Sequence, residues 1–133
     1  MEKIEKTNEE WKKELDEETY RVTREKGTEA PGTGKYYHHN EEGSYTCSNC
    51  GVDLFSSNAK FDSGSGWPSF DDPVAKENIK LIKDDSHGMH RTEVVCSKCD
   101  AHLGHVFEDG PKETTGKRYC INSCSLDFKE KDK

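Results

Sequence analysis

A mainly antiparallel β domain with a helical N-terminal extension is the fold class this sequence predicts, on three observations. Short segments rich in β-branched and aromatic residues alternate with clusters of Gly, Asn, Asp and Pro from about Tyr45 to Phe128. A charged stretch with helical patterning is confined to the region before Gly27. Six cysteines occur in a chain whose apolar fraction is only 29%, against roughly 45–50% in ordinary globular domains. Hydrophobic burial alone gives such a chain a modest core, and metal ligation is a common supplement in small folds. At 133 residues the chain has the length of one domain. Residues 1–133 divide into an extension over about 1–43, a metal-binding β core over 44–128 and a charged tail over 129–133.

In order along the chain, Asn8 to about Gly27 reads as one helix with Trp11, Leu15, Tyr20 and Val22 as its apolar anchors. Thr7 or Asn8 is placed to cap it, and Glu9 and Glu10 suit its first turn. Gly27 to Gly43 reads as irregular chain leading to the first cysteines. Strands are expected at Val52 to Phe55, Ile79 to Ile82, Arg91 to Val95, His102 to Phe107, Arg118 to Asn122 and Ser125 to Phe128. The tail from Lys129 to Lys133 is wholly charged and is expected to fray.

Charge and terminus narrow the setting. The first six residues hold no apolar core of a secretory signal, so a cytoplasmic location is expected. Thiols are kept reduced there, which leaves metal binding or redox chemistry as the uses of cysteine. No run is long and apolar enough to cross a bilayer, and a net charge of −7 opposes nucleic acid as a partner. A monomer is expected.

Cys47-Ser48-Asn49-Cys50 and Cys96-Ser97-Lys98-Cys99 are two Cys-x-x-Cys pairs, each able to present two thiolates to a tetrahedral zinc ion from one tight turn. Cys47, Cys50, Cys96 and Cys99 together close the coordination shell, so the zinc is expected to be structural, one per chain. The gap of roughly 45 residues between the pairs is longer than in common zinc signatures. A thioredoxin-like redox role for one pair explains less, because the pairs match each other. A catalytic zinc deaminase would need proline directly before its pair, where this chain has Thr46 and Val95.

Cys120 and Cys124 remain. Alternation in Arg118-Tyr119-Cys120-Ile121-Asn122 places Arg118, Cys120 and Asn122 on one strand face, where a guanidinium favours the reactive thiolate and an amide can bind substrate or orient a base. A half-buried strand with an incidental cysteine has the same pattern. His102 and His105 follow the second cysteine pair closely, and imidazoles exchange protons near neutral pH. In a regular strand they would face opposite ways, so both serve one site only if the chain bends at Gly104. Trp67, in the glycine-flanked stretch Gly64-Ser65-Gly66-Trp67-Pro68, either packs into the core or walls a pocket for an apolar group.

Three stretches together resemble the methionine-R-sulfoxide reductase B family: Ser63-Gly64-Ser65-Gly66-Trp67-Pro68-Ser69-Phe70, His102-Leu103-Gly104-His105-Val106-Phe107-Glu108-Asp109-Gly110-Pro111 and Arg118-Tyr119-Cys120-Ile121-Asn122-Ser123. The likeness runs from about Trp11 to Phe128 and includes both cysteine pairs. It implies two antiparallel sheets in a zinc-clamped β-sandwich or tent-like domain, acting as a peptide-methionine (R)-S-oxide reductase. In that role Cys120 would be the nucleophile, with Arg118, Asn122 and His105 around it. His102 would hold or protonate the sulfoxide oxygen, and Trp67 would receive the substrate methyl group. Oxidised proteins would be the substrates and thioredoxin the likely reductant of the cysteine sulfenic acid that results.

Two departures from the family bear on recycling. Ser65 stands where many members have a resolving cysteine, and Cys124 where many have a small residue. Cys124 is then the candidate resolving thiol. Four residues along a continuous strand span about 13 Å, whereas a disulfide needs Cα atoms within about 7 Å, so resolution requires a turn near Asn122 or Ser123. The rival to an enzyme is a non-catalytic ligand- or partner-binding module on the same zinc-clamped scaffold, which would not need Cys120.

Overall fold

The computed structural model describes residues 4–130 except positions 5, 31, 33, 38, 40, 62, 63, 86, 87, 89 and 90. Ser63 of the resemblance and positions 131–133 of the tail thus lie outside the described residues.

Where one N-terminal helix was expected there are two, α1 at Asn8–Glu14 and α2 at Glu17–Arg24. Thr7 caps α1 in a reciprocal box with Glu10, each side chain accepting the other's backbone N–H. The break follows from Asp16, whose carboxylate accepts the Thr19 N–H at 2.7 Å and starts a fresh helix. Glu17 and Glu18 at its head and Arg21 and Arg24 at its end complement the helix dipole, so a second start is favoured over continuation. Lys26 turns left-handed at φ 57°, and the Gly27 N–H reaches back to the Arg21 carbonyl to close α2. Trp11 and Val22 bury the inner faces of the pair.

The remaining chain is antiparallel β. A three-stranded sheet has the order β2–β1–β9, from Asp53–Ser56, Gly43–Cys47 and Leu126–Glu130. A six-stranded sheet runs β3–β4–β8–β7–β6–β5, from Lys60–Phe61, Ser69–Phe70, Arg118–Ile121, His102–Phe107, Arg91–Cys96 and Ile79–Asp84. All six expected strands are present with small changes of boundary. Lys129 and Glu130 do not fray: they pair with Ser44 and Gly43, because a strand beside a ladder gains hydrogen bonds whatever its side chains.

Aromatic rings join the sheets. Phe55 of β2 stacks on Phe70 of β4 at 4.4 Å between centroids, and Tyr45 of β1 meets Phe70 edge-on at 5.2 Å. Each such buried side chain contributes about 1.5–3 kcal/mol, with somewhat more from ring geometry. On β8, Tyr119 and Ile121 point into this core, which turns Arg118 and Cys120 to the other face. Strand β5 is one edge of the larger sheet, where Leu81 and Ile82 are exposed between Lys80, Lys83 and Asp84, charges that discourage edge-to-edge pairing.

Candidate active site and metal centre

Each sheet ends in one cysteine turn. After β1, the Cys47 N–H bonds to the Val52 carbonyl and the Gly51 N–H to the Cys47 carbonyl. After β6, Cys96 and Ala101, and Asp100 and Cys96, repeat the same two bonds. The turning residue is left-handed in both, Gly51 at φ 81° and Asp100 at φ 62°, and aspartate is among the few side chains that tolerate this. The turns bring Cys47, Cys50, Cys96 and Cys99 together with all four sulfurs within 4.8 Å of one another. Cys47 and Cys99 sulfurs are 3.6 Å apart, Cys50 and Cys96 sulfurs 3.5 Å. Bond lengths of about 2.3 Å to a tetrahedral zinc put sulfurs roughly 3.8 Å apart, so this donor set fits a metal ion of that kind. Both turns also dock on α2: Asn49 donates to Thr23 Oγ1 and Arg24 to the Cys99 carbonyl.

Cys120 sits in the middle of the larger sheet, paired with Ser69 on β4 and His105 on β7. A cavity of about 210 Å³ opens over it. Trp67, His105, Arg118, Cys120 and Asn122 all line that cavity, with Ser65, Thr28, Arg91, Gly104 and Phe107. Five of the sequence candidates thus converge. Trp67 is a pocket wall, its indole N–H held by the Glu29 carbonyl at 3.0 Å. Gly104 allows the close approach of β7 to β8, since a Cβ there would fall 2.0 Å from the Cys120 carbonyl oxygen.

The two histidines share a face through a β-bulge. Val94 pairs with Gly104 but Val95 with His102, so Leu103 is an extra residue on β7. The rings of His102 and His105 meet edge-on at 5.5 Å between centroids. His105 lines the cavity and binds Asp84 through Nε2 at 2.8 Å, with Arg91 on the same Asp84 oxygen. His102 does not line it. It lies buried behind His105 with Nδ1 on Glu93 at 2.7 Å, and burial first of all holds its pKa below the usual imidazole value.

Asn122 and Arg118 are committed to neighbours. The Asn122 amide donates to the Leu103 carbonyl and accepts the Glu29 N–H. Arg118 forks onto Asp109 at 2.9 and 3.3 Å and lies over the Phe107 ring at 4.5 Å. Hydrogen bonding to Asp109 raises the Arg118 pKa, and the return effect lowers that of Asp109. For Cys120 the balance differs from the sequence expectation of a favoured thiolate. Burial pushes its thiol up, and the opposing pulls of the Ser65 hydroxyl, 3.9 Å from the sulfur, and of the Arg118 guanidinium do not offset it. Burial thus weighs against the Cys120 anion, while the groups that favour it stand beside the sulfur.

Residues 15–130 match the SelR domain. The chain belongs to the SelR domain family. It is 59% identical over 127 residues to the peptide methionine sulfoxide reductase MsrB of Chromohalobacter salexigens, covering 96% of each chain. It is 57% identical over 129 residues to the protein of that name from Methanosarcina barkeri, with 97% of this chain and 90% of the relative covered. A probable methionine-R-sulfoxide reductase B of Caenorhabditis elegans is 60% identical over 124 residues, covering 92% and 82%. Among solved structures, the Mis18 'Yippee-like' domain aligns with a TM-score of 0.53 at 17% identity over 70% of this chain and all of its own, which is a likeness of fold alone.

In this SelR domain Cys124 belongs to another cavity. The chain does turn, in a 3-10 helix at Ser123–Ser125, but Cys124 lines a space of about 720 Å³ beneath the helices, not the one over Cys120. Burial and then the Glu29 carboxylate push its thiol up to about 12. None of the six cysteines is in a disulfide. Sequence reading missed Thr28, Glu29, Asp84, Arg91, Glu93, Phe107 and Asp109. Only Phe107 and Asp109 carried a signal, lying in the stretch that follows the histidines.

Proposed function

We propose that this chain is a peptide-methionine (R)-S-oxide reductase. The observation that carries the reading is the convergence of Cys120, His105, Arg118, Asn122 and Trp67 on one small cavity. Relatives named peptide methionine sulfoxide reductase, and one named a probable methionine-R-sulfoxide reductase, are alike over nearly the whole chain and support it.

Cys120 is the nucleophile. Its sulfur attacks the sulfoxide sulfur, so that an S–S bond forms as the S–O bond breaks and the oxygen departs as hydroxide; that hydroxide then adds to the Cys120 sulfur, the S–S bond breaks, and methionine leaves with a sulfenic acid on Cys120. The one proton of the step leaves the Cys120 thiol, passes through the imidazole of His105 to the sulfoxide oxygen and ends on the sulfenic acid; methionine sulfur is reduced by two electrons and Cys120 oxidised by two. His105, on the cavity wall and oriented by Asp84, is the group placed to protonate that oxygen as its bond breaks. His102 acts through His105 from behind, held by Glu93. The face of Trp67 receives the methyl group and favours the sulfonium-like sulfur of the transition state. Arg118 and Ser65 stabilise the thiolate as it forms.

A second thiol then attacks the sulfenic acid, giving a disulfide and water. Thioredoxin is the reductant assigned, acting directly on Cys120, because Ser65 cannot resolve and Cys124 opens to a different cavity. Zinc is the metal assigned to Cys47, Cys50, Cys96 and Cys99. Bound there it supplies a cross-link between the two sheets and has no open position for chemistry. Acting on oxidised proteins as a cytoplasmic monomer completes the reading.

The decisive assay uses separated R and S sulfoxides of a short peptide, with wild type beside Cys120→Ser. Reduction of the R epimer alone, abolished in the variant, is expected. Equal turnover of both epimers by wild type would falsify the assignment.

A further inference from the structure

Residues 28–30 have no regular structure, yet they form part of the pocket: Thr28 lines it, and Glu29 touches two of its walls. Every polar group of Glu29 is used, on two segments: residue 67 and residues 122–124. Its carbonyl accepts the Trp67 indole N–H at 3.0 Å, and its N–H donates to Asn122 Oδ1 at 3.1 Å. Its carboxylate accepts the N–H groups of Ser123 at 2.6 Å and Cys124 at 3.3 Å, the opening of the turn that ends β8. The residue is only 6% exposed. A carboxylate so buried is costly unless its hydrogen bonds hold it, which makes those bonds a strong constraint on where the backbone of residue 29 lies.

We propose that Glu29 is a positioning residue for the reductase site: its carboxylate, latched to the Ser123–Cys124 turn, fixes the backbone that holds Trp67 and Asn122 in the substrate pocket. This rests on the reductase reading above for what the pocket binds. The side chain is the only part of this arrangement that a substitution can remove while the backbone groups remain. Gly34 closes the segment over the latch, where a Cβ would come within 2.6 Å of Glu29 Oε1 and 2.2 Å of Ser123 Oγ. Because the methyl-binding wall is what moves when the latch is cut, the loss falls on substrate binding more than on the chemical step.

The test is nitrogen–proton correlation spectroscopy of the metal-loaded full chain, combined with steady-state kinetics on an R-sulfoxide peptide. The protein has two tryptophans, and therefore two indole N–H resonances, assigned with Trp67→Phe. In Glu29→Ala the Trp67 resonance should shift and exchange faster with solvent while that of Trp11 stays in place, and KM should rise about tenfold with kcat changed much less. Glu29→Gln keeps one acceptor oxygen and should fall between the two, which also covers the case in which the alanine variant folds poorly. A general loss of stability would disturb both tryptophans and leave the KM of the folded fraction alone. An unmoved Trp67 resonance with unchanged KM overturns the latch. The resonance reports with or without turnover, so a wild type inactive on both epimers overturns the reductase reading separately.

Discussion

The molecule uses the same side chain in two opposite ways. At the metal end, four cysteines from two nearly identical turns lie with their sulfurs in mutual contact. In the cavity on the larger sheet, Cys120 lies apart from that cluster and is met by a hydroxyl and a guanidinium. Crowded thiols have no better outcome than sharing a cation, while an isolated thiol beside donors that favour its anion is free to attack. Among the thiols outside the cluster the neighbours then decide: a hydroxyl and a guanidinium at Cys120, a carboxylate at Cys124.

Removing the metal is the most severe way to break that comparison. Structural zinc contributes on the order of 10 kcal/mol or more, comparable to the stability of a whole domain. Cys96→Ser, or a strong chelator, should therefore abolish the folded state seen by circular dichroism and heat denaturation; an unchanged melting curve in metal-free protein would show that the sheets hold without the clamp. Cys120→Ser should have the opposite signature, an unchanged melting temperature and metal content with turnover down by about three orders of magnitude or more, because a serine hydroxyl is a far poorer nucleophile.

A smaller effect sharpens the active end. His105→Ala should slow reduction about a hundredfold, the usual worth of a placed general acid, without loss of metal. Smaller again is the response to pH. Burial raises the Cys120 pKa, so its thiolate fraction, and with it the rate of alkylation by iodoacetamide, should still be climbing with pH above the range of an ordinary thiol. Arg118→Ala removes a pull toward the anion and should move that climb to higher pH. Cys124, pushed up to about 12, should be modified last. Finding Cys124 alkylated before Cys120 in folded protein would contradict the burial of its thiol.

The metal end was legible because it is local: each turn is written in four consecutive residues, and two matching turns explain each other. Cys120, His105 and Trp67 were legible through the resemblance, and the face shared by Arg118 and Cys120 through simple alternation. Glu29 was not, since its partners lie 38 to 95 residues away and nothing beside it marks a site. Strands β3 and β4 have two residues each, too short to show a period. Asp16 was a readable helix start, but continuous charge on both sides of it concealed the break.

The extra residue on β7 works as a phase adjuster between the two ends. Along a strand, side chains obey strict parity, and a segment that must deliver a cysteine turn at one end and a cavity-lining histidine further on can satisfy both only if the count between them comes out right. Leu103 corrects that count by one, which is why His102 and His105, three positions apart, stand on the same side. Were Leu103 instead drawn into a regular ladder opposite Val95, His102 would turn away from Glu93 and strand a buried carboxylate. The spacing between the cysteine turn and the cavity face is thus quantised: within the regular ladder a shift of one residue is a reversal, and an odd residue is tolerated only where a bulge absorbs it, as at Leu103.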